Sequence, residues 1–187
     1  TQSRSSAASD VYKRQGAGSA DDDLINQYTL TTPYDISTAT YDGDDERCEF
    51  SDTSTTVATS LGLRFSDDGM KIFVSQRGLN GVHNSYVNRL DLTTAFDIST
   101  CSYVDDVNID TALLQNGTNA GPRASTGGRN NLQGIEITND GTKLFLTMND
   151  RNGNQSIKQY NFSTPYDLST ISLPVSYTHL RAHETRG

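Results

Sequence analysis

The sequence contains no tryptophan, only two cysteines and no long apolar segment. A membrane helix needs about 18 or more consecutive apolar residues, so the sequence predicts no membrane span. Two cysteines are too few for the disulfide framework of a small secreted domain, and their spacing lacks the close pairs of a zinc site. We therefore interpret Cys48 and Cys101 as free thiols, with a single bridge between them as the alternative.

Positive charge is also scarce. The chain has 15 lysine and arginine residues against 23 aspartate and glutamate residues, which gives a net charge of −8. Binding to a nucleic-acid backbone needs clustered basic residues, and the sequence has no such cluster. Nucleic acid is therefore excluded as a predicted partner. The abundance of Ser, Thr, Asn, Asp and Gly is typical of extracellular or cell-surface proteins, where we expect an unknown protein or carbohydrate ligand.

Both ends of the chain have an unusual origin. Residues 5–15 and 175–185 correspond to the translations of two partner adapters used in DNA sequencing, both in frame. Segments of this kind are set aside before a fold is predicted, as tags are. We expect residues 1–15 and 175–187 to be non-native, and the natural start and end of residues 16–174 to be missing. The alternative is a natural tail at each end.

A nine-residue motif occurs three times. Its copies are Leu30–Thr38, Leu92–Thr100 and Phe162–Thr170, separated by offsets of 62 and 70 residues. Return of a motif at near-regular spacing indicates one supersecondary unit that is used repeatedly. We expect its aromatic residue to fold onto a sheet, and its Asp and Ser-Thr residues to bond exposed backbone N–H groups. A structural role for this motif is the favoured interpretation.

A second repeat lies between the copies of the first. Leu61–Val74 matches Gln133–Leu146, and in both segments an alternating apolar pattern runs into Asp-Gly and then into another apolar run. Alternation indicates a strand, and Asp-Gly between two strands indicates a hairpin. Each unit is therefore predicted to have four strands, which in the middle unit lie at about 62–65, 71–75, 86–92 and 101–108.

These motifs, above all Phe65–Val74 and Tyr160–Thr170, resemble the YVTN/WD40-like β-propeller repeats of bacterial secreted and surface proteins. The resemblance implies an all-β fold, a partial β-propeller made of four-stranded antiparallel blades. It departs from the usual pattern because its spacing exceeds the about 40–50 residues of a common blade, and because it has no Trp-Asp ending. It implies little about function, since propellers serve as binding platforms, scaffolds and enzymes.

The repeats predict part of a blade at 24–50, a full blade at 62–108 and a near-full blade at 134–173. A closed propeller has about four to eight blades. We therefore expect the remaining blades of the parent chain to be partners of this segment. Arg64 and Glu136 hold the same place in successive units, so we expect an ion pair between two blades.

Two segments carry candidate ligand residues. Arg123 and Arg129 lie in the long connection between the second and third units, where they are candidates for contact with a carboxylate or an acidic sugar; a plain surface loop is the alternative. Asp150, Asn152 and Asn154 alternate around a glycine, as calcium ligands do, although the segment lacks the full twelve-residue calcium loop. No cofactor is predicted, with calcium as the alternative.

A further acidic group could also hold calcium, but a solvated turn is the preferred interpretation; it consists of Asp42, Asp44, Asp45 and Glu46.

No catalytic or cofactor-binding residue is predicted. His83 has no nucleophile motif near it in the sequence and is interpreted as incidental. We expect a non-enzymatic binding or scaffold module from a secreted or surface protein, which binds through loops on one face. The alternatives are a lactonase-like propeller hydrolase whose catalytic residues lie in missing blades, and a purely structural repeat.

Overall fold

The computed structural model describes residues 10–15, 24–49, 58–78, 85–109, 131–149 and 155–172. Within these ranges the chain forms strands joined by turns, and its helical elements are three single-turn 3-10 helices, at Ile36–Thr38, Ile98–Thr100 and Leu168–Thr170. The all-β prediction is therefore confirmed. The strands are β1 (Asp10–Gln15), β2 (Leu24–Leu30), β3 (Ala39–Tyr41), β4 (Arg47–Glu49), β5 (Ala58–Phe65), β6 (Lys71–Gly78), β7 (Ser85–Leu92), β8 (Cys101–Asn108), β9 (Asn131–Ile137), β10 (Lys143–Asn149), β11 (Gln155–Phe162) and β12 (Ile171–Ser172).

The strands form three antiparallel sheets. The second sheet has the order β5-β6-β7-β8 and the third has the order β9-β10-β11-β12, so each is a meander of consecutive strands. In the first sheet β1, β2 and β3 follow one another, and β4 also pairs with β2. Four-stranded antiparallel sheets are what the sequence predicts for blades, and the four strands of the second sheet contain the predicted ranges.

The first sheet differs from the other two in two respects. Strand β1 lies in the segment that we expect from the sequence to be non-native, and it pairs Asp10 with Thr29 as β6 pairs Lys71 with Asp91. Strand β1 therefore has the place in the first sheet that β6 has in the second sheet. The fourth strand is divided, because β3 and β4 pair with opposite ends of β2 and the turn at 42–46 separates them.

Apolar cores lie between successive sheets. Strand β6 contributes to both, because side chains alternate across a strand: Ile72 and Val74 pack with the first sheet, and Phe73 packs with the third. The core between the first and second sheets contains Ile25, Cys48, Ile72, Val74, Leu90, Leu92 and Ile98. The core between the second and third sheets contains Phe73, Val87, Val107, Ile109, Leu132, Ile137, Leu144, Leu146, Tyr160, Phe162 and Leu168.

The preference for two free cysteines is wrong. Cys48 of β4 and Cys101 at the start of β8 form a disulfide, with their Cα atoms 5.8 Å apart. The bond joins the first sheet to the second. At the next interface the equivalent places are held by Val107 and Ile171, which pack in one apolar cluster. The disulfide therefore replaces an apolar contact between neighbouring sheets, and buries Cys48 completely.

Candidate interaction surfaces

The repeated nine-residue motif forms the same capped turn in each sheet. In the first copy the Asp35 carboxylate accepts hydrogen bonds from the Ser37 backbone N–H (3.0 Å) and hydroxyl (2.6 Å). These two bonds, the hydroxyl bond above all, hold the pKa of Asp35 below its ordinary value. The Thr38 hydroxyl accepts the Thr32 N–H at 3.1 Å. The equivalent bonds recur in both later copies, so the predicted structural role of the polar residues is confirmed.

The aromatic residue of the motif has a backbone conformation that the sequence does not predict. Tyr34, Phe96 and Tyr166 have φ angles of 65°, 63° and 62°, in the left-handed region that non-glycine residues seldom adopt. A residue held there costs about 1–3 kcal/mol. In the later copies the turn is also tied to its neighbour, because the Phe96 and Tyr166 N–H groups donate to carbonyl oxygens of the preceding hairpin, both at 2.9 Å.

The Asp-Gly turns contact the aromatic residues of the motif in the second and third sheets. Gly69 and Gly141 have φ angles of 72° and 67°, and a Cβ at either position would overlap the ring of Phe96 or Tyr166. The Asp140 carboxylate accepts hydrogen bonds from the Thr138 hydroxyl and from the backbone N–H and hydroxyl of Thr142, which lower the pKa of Asp140 to about 2. The two sequence repeats therefore meet at one end of each of the second and third sheets.

The predicted ion pair between Arg64 and Glu136 is present, and it joins the second and third sheets. Arg64 of β5 and Glu136 of β9 approach to 2.9 Å between Nε and Oε1, and the Arg64 Nη2 donates to Asn139 Oδ1 at 3.5 Å. The Nε–Oε1 contact is a charge pair without hydrogen-bond geometry. Strands β5 and β9 can approach closely because position 62 is a glycine. A Cβ at this position would lie 3.2 Å from the Ile135 backbone nitrogen.

A charged group lies where the second and third sheets meet. Arg89 donates two hydrogen bonds to the Asp91 carboxylate, at 2.8 and 2.7 Å, and these lower the pKa of Asp91. Lys71 lies 3.6 Å from the same carboxylate. Burial raises the pKa of Asp105, despite the favourable charge of Arg89, and Asp167 of the third sheet adds to that rise. Within this group Arg89 stabilises the ionised form of Asp91, whereas burial disfavours the ionised form of Asp105.

Two members of the acidic group in the first sheet, Asp42 and Asp44, are engaged by other residues of the protein. The Asp42 carboxylate accepts hydrogen bonds from the Thr29 N–H and hydroxyl, at 3.0 and 3.1 Å. The Asp44 carboxylate accepts the Tyr41 hydroxyl at 2.7 Å, which raises the pKa of Tyr41, and lies 3.7 Å from Arg47. These bonds support the interpretation of this segment as a turn. In the part of the chain that the structure describes, no group of three or more His, Cys, Asp or Glu residues is placed to hold a metal ion.

The ligand residues predicted from the sequence lie outside the described residues; they are Arg123, Arg129, Asp150, Asn152 and Asn154, and the same is true of His83. The ends of the flanking strands are described. Strands β6, β8 and β10 end, and β7, β9 and β11 begin, at the end of their sheets opposite the repeated turns. The candidate segments are therefore attached at one common end of the sheets.

The expectation that the aromatic residue of the motif folds onto a sheet is wrong for the first copy, where Tyr34 and the Ile36 of the same turn are exposed. Ile157 in β11 is also exposed and was not singled out from the sequence. Each has an equivalent residue in the other sheets that is less exposed. These residues are found by comparing the exposed fractions of equivalent side chains in the three sheets, whereas hydrophobicity alone does not distinguish them.

No protein-family model matches the chain, and no curated protein matches it at a significant level. Among the described residues, no helix has the length and apolar character required to cross a membrane.

Proposed function

We propose that the chain is part of a β-propeller of the YVTN/WD40-like kind and acts as a non-enzymatic binding or scaffold module. The observation that carries this proposal is the stacking of three successive antiparallel sheets with an apolar core between each pair. Propeller blades are sheets of this kind arranged about a channel. Loops at one end of such blades are suited to ligand binding because rigid sheets hold them in place.

The disulfide supports a location outside the cytoplasm. Structural disulfides persist in oxidising compartments and are rare in the reducing cytosol. The Cys48–Cys101 bond links two sheets and has one buried partner, as a structural disulfide does. We therefore place the protein outside the cell or at the cell surface.

The ligand that we propose is a carbohydrate with acidic groups, bound by Arg123 and Arg129 in the connection between β8 and β9. Arginine forms paired hydrogen bonds with a carboxylate, and this one connection contains two arginines. Calcium at Asp150, Asn152 and Asn154 would assist, since calcium can bind protein and sugar oxygens together.

Isothermal titration calorimetry with oligogalacturonate, and with a neutral cello-oligosaccharide for comparison, tests this function. Binding of the acidic glycan is expected to be lost in an Arg123→Ala/Arg129→Ala variant, and to persist in the matched control Arg47→Ala, which changes an arginine of the first sheet. Titrations with and without calcium test the metal. If neither glycan binds under either condition, the carbohydrate proposal is wrong. Turnover of a lactone substrate by the chain would contradict the non-enzymatic proposal.

A further inference from the structure

The repeats allow one residue of β2 to be compared with its equivalents in β7 and β11. Ile25, Val87 and Ile157 hold the same place, at the offsets of 62 and 70 residues found for the motif. Ile25 and Val87 are fully buried against the sheet that follows, whereas Ile157 is 59% exposed. The third sheet thus presents the apolar side chain by which each earlier sheet contacts its successor.

On the surface by which a sheet contacts its predecessor, the exposed residue belongs to the first sheet and the buried ones to the later sheets. Ile36, Ile98 and Leu168 follow the aspartate of the motif in its three copies. Ile98 and Leu168 are 0% and 1% exposed because each packs against the preceding sheet, whereas Ile36 is 67% exposed. Tyr34 beside it is 85% exposed. The first sheet thus presents the apolar turn by which each later sheet contacts its predecessor.

The two exposed residues correspond to the two halves of one contact. Ile25 and Ile98 lie in the core between the first and second sheets. Val87 and Leu168 lie in the core between the second and third sheets. By the same relation, the partner of Ile157 is a residue in the place of Ile36. The two internal interfaces therefore indicate that Ile157 of the third sheet and Ile36 of the first sheet are suited to pack against each other's kind of surface.

We propose that the two end surfaces dock head to tail with each other, Ile157 of one copy of the chain against the turn at Tyr34 and Ile36 of a second copy. A contact between two different surfaces closes into a ring when its rotation allows. Two copies of three sheets make six, within the about four to eight blades of closed propellers. From the sequence we expect further blades of the parent chain here, and a second copy offers the same surfaces.

Analytical ultracentrifugation of the chain over a wide concentration range tests the proposal. A species of twice the 20.4 kDa chain mass is expected, and it should become more stable with added salt because the net charge of −8 opposes association. Ile36→Asp and Ile157→Asp should each weaken the dimer by at least about tenfold. Val104→Asp is the matched control, because Val104 is 43% exposed and belongs to neither internal core.

Mixing the two variants distinguishes a head-to-tail contact from a symmetric one. The Ile36→Asp copy keeps Ile157 and the Ile157→Asp copy keeps Ile36, so the mixture can form one native interface that neither variant forms alone. Recovery of a dimer on mixing is expected. A monomer at every concentration would overturn the proposal, and so would an Ile36→Asp variant that dimerises as the unsubstituted chain does. Circular dichroism of each variant shows that loss of association is not loss of folding.

Discussion

The ring of Phe96 occupies the space that a side chain at position 69 would need. Gly69 has a φ of 72° at the Asp-Gly turn, and Phe96 has a φ of 63° at the repeated turn, so each residue adopts a left-handed conformation where it meets the other. The Phe96 N–H donates to the Gly69 carbonyl at 2.9 Å. Tyr166 and Gly141 repeat the arrangement in the third sheet. In the second and third sheets the two sequence repeats thus form two neighbouring turns, which are joined by a ring packed on a glycine and by a backbone hydrogen bond.

Substitution of this glycine should be far more costly than its backbone conformation alone explains. Gly69→Ala is expected to destabilise the protein by about 2–5 kcal/mol, because strain at positive φ and overlap with the ring act together. Gly43→Ala is the matched control, since Gly43 also has a positive φ (107°) but has open space where a Cβ would lie. It should cost about 1–2 kcal/mol. Urea denaturation gives both values.

The overlap can be separated from the strain by a double-mutant cycle. Phe96→Ala removes the ring, so Gly69→Ala should cost about 1–3 kcal/mol less in that background. Additive costs would show that the ring and the glycine do not compete for the same space.

The disulfide should contribute strongly to stability because it closes a separation of 53 residues. Reduction is expected to cost about 4 kcal/mol by the chain-entropy estimate. Denaturation with and without dithiothreitol measures this effect, and a Cys48→Ala/Cys101→Ala variant should show no response to the reductant. Equal stability of the oxidised and reduced chains would contradict the bond.

The ion pair between the second and third sheets should be weak. Arg64 and Glu136 have side chains 36% and 59% exposed, and exposed pairs contribute about 0.2–1 kcal/mol. A double-mutant cycle of Arg64→Ala and Glu136→Ala should give a coupling energy in this range. That energy should fall in molar salt, because ions screen exposed charges. Additive single-mutant effects at low salt would show that the pair contributes nothing.

Acid should weaken the Asp-Gly turn of the third sheet. The folded-state pKa of Asp140 is lowered to about 2, and an unfolded aspartate titrates near pH 4. The stabilising contribution is therefore present above about pH 4 and is lost as the pH falls towards 2. Thermal unfolding followed across this range should show a smaller acid-induced fall in Tm for Asp140→Asn than for the unsubstituted chain.

Asp105 should have the opposite effect on the pH dependence of Tm. Burial raises its pKa, so ionisation opposes folding as the pH rises. Asp105→Asn should therefore raise Tm at neutral pH and lose that advantage in acid. A fall in Tm at neutral pH would show that attraction to Arg89 outweighs burial.

Local and periodic features were predictable from the sequence. Alternation and Asp-Gly located the strands of the second sheet, because side-chain direction and turn geometry depend on adjacent residues. The capping role of Asp35 was predictable for the same reason, since its hydrogen bonds reach only two residues along the chain. The Arg64–Glu136 pair required one further step, which was that equivalent positions in neighbouring units lie side by side.

The remaining features depend on contacts between units rather than within them. The number and spacing of the cysteines favoured free thiols, yet the disulfide joins Cys48 near the end of one sheet to Cys101 at the start of a strand in the next. The left-handed aromatic residues Phe96 and Tyr166 each place their ring against a glycine of another turn, a contact between segments far apart in the sequence.

The sequence by itself determined the strands and turns of the second sheet and the repetition of one unit, because these follow from hydrogen bonding and side-chain alternation over a few residues. Only the tertiary structure decided which apolar residues are buried. Ile98 and Ile36 have the same local sequence, but Ile98 is covered by a preceding sheet and Ile36 is exposed. Burial depends on which neighbour packs against a surface, and that neighbour lies far away along the chain.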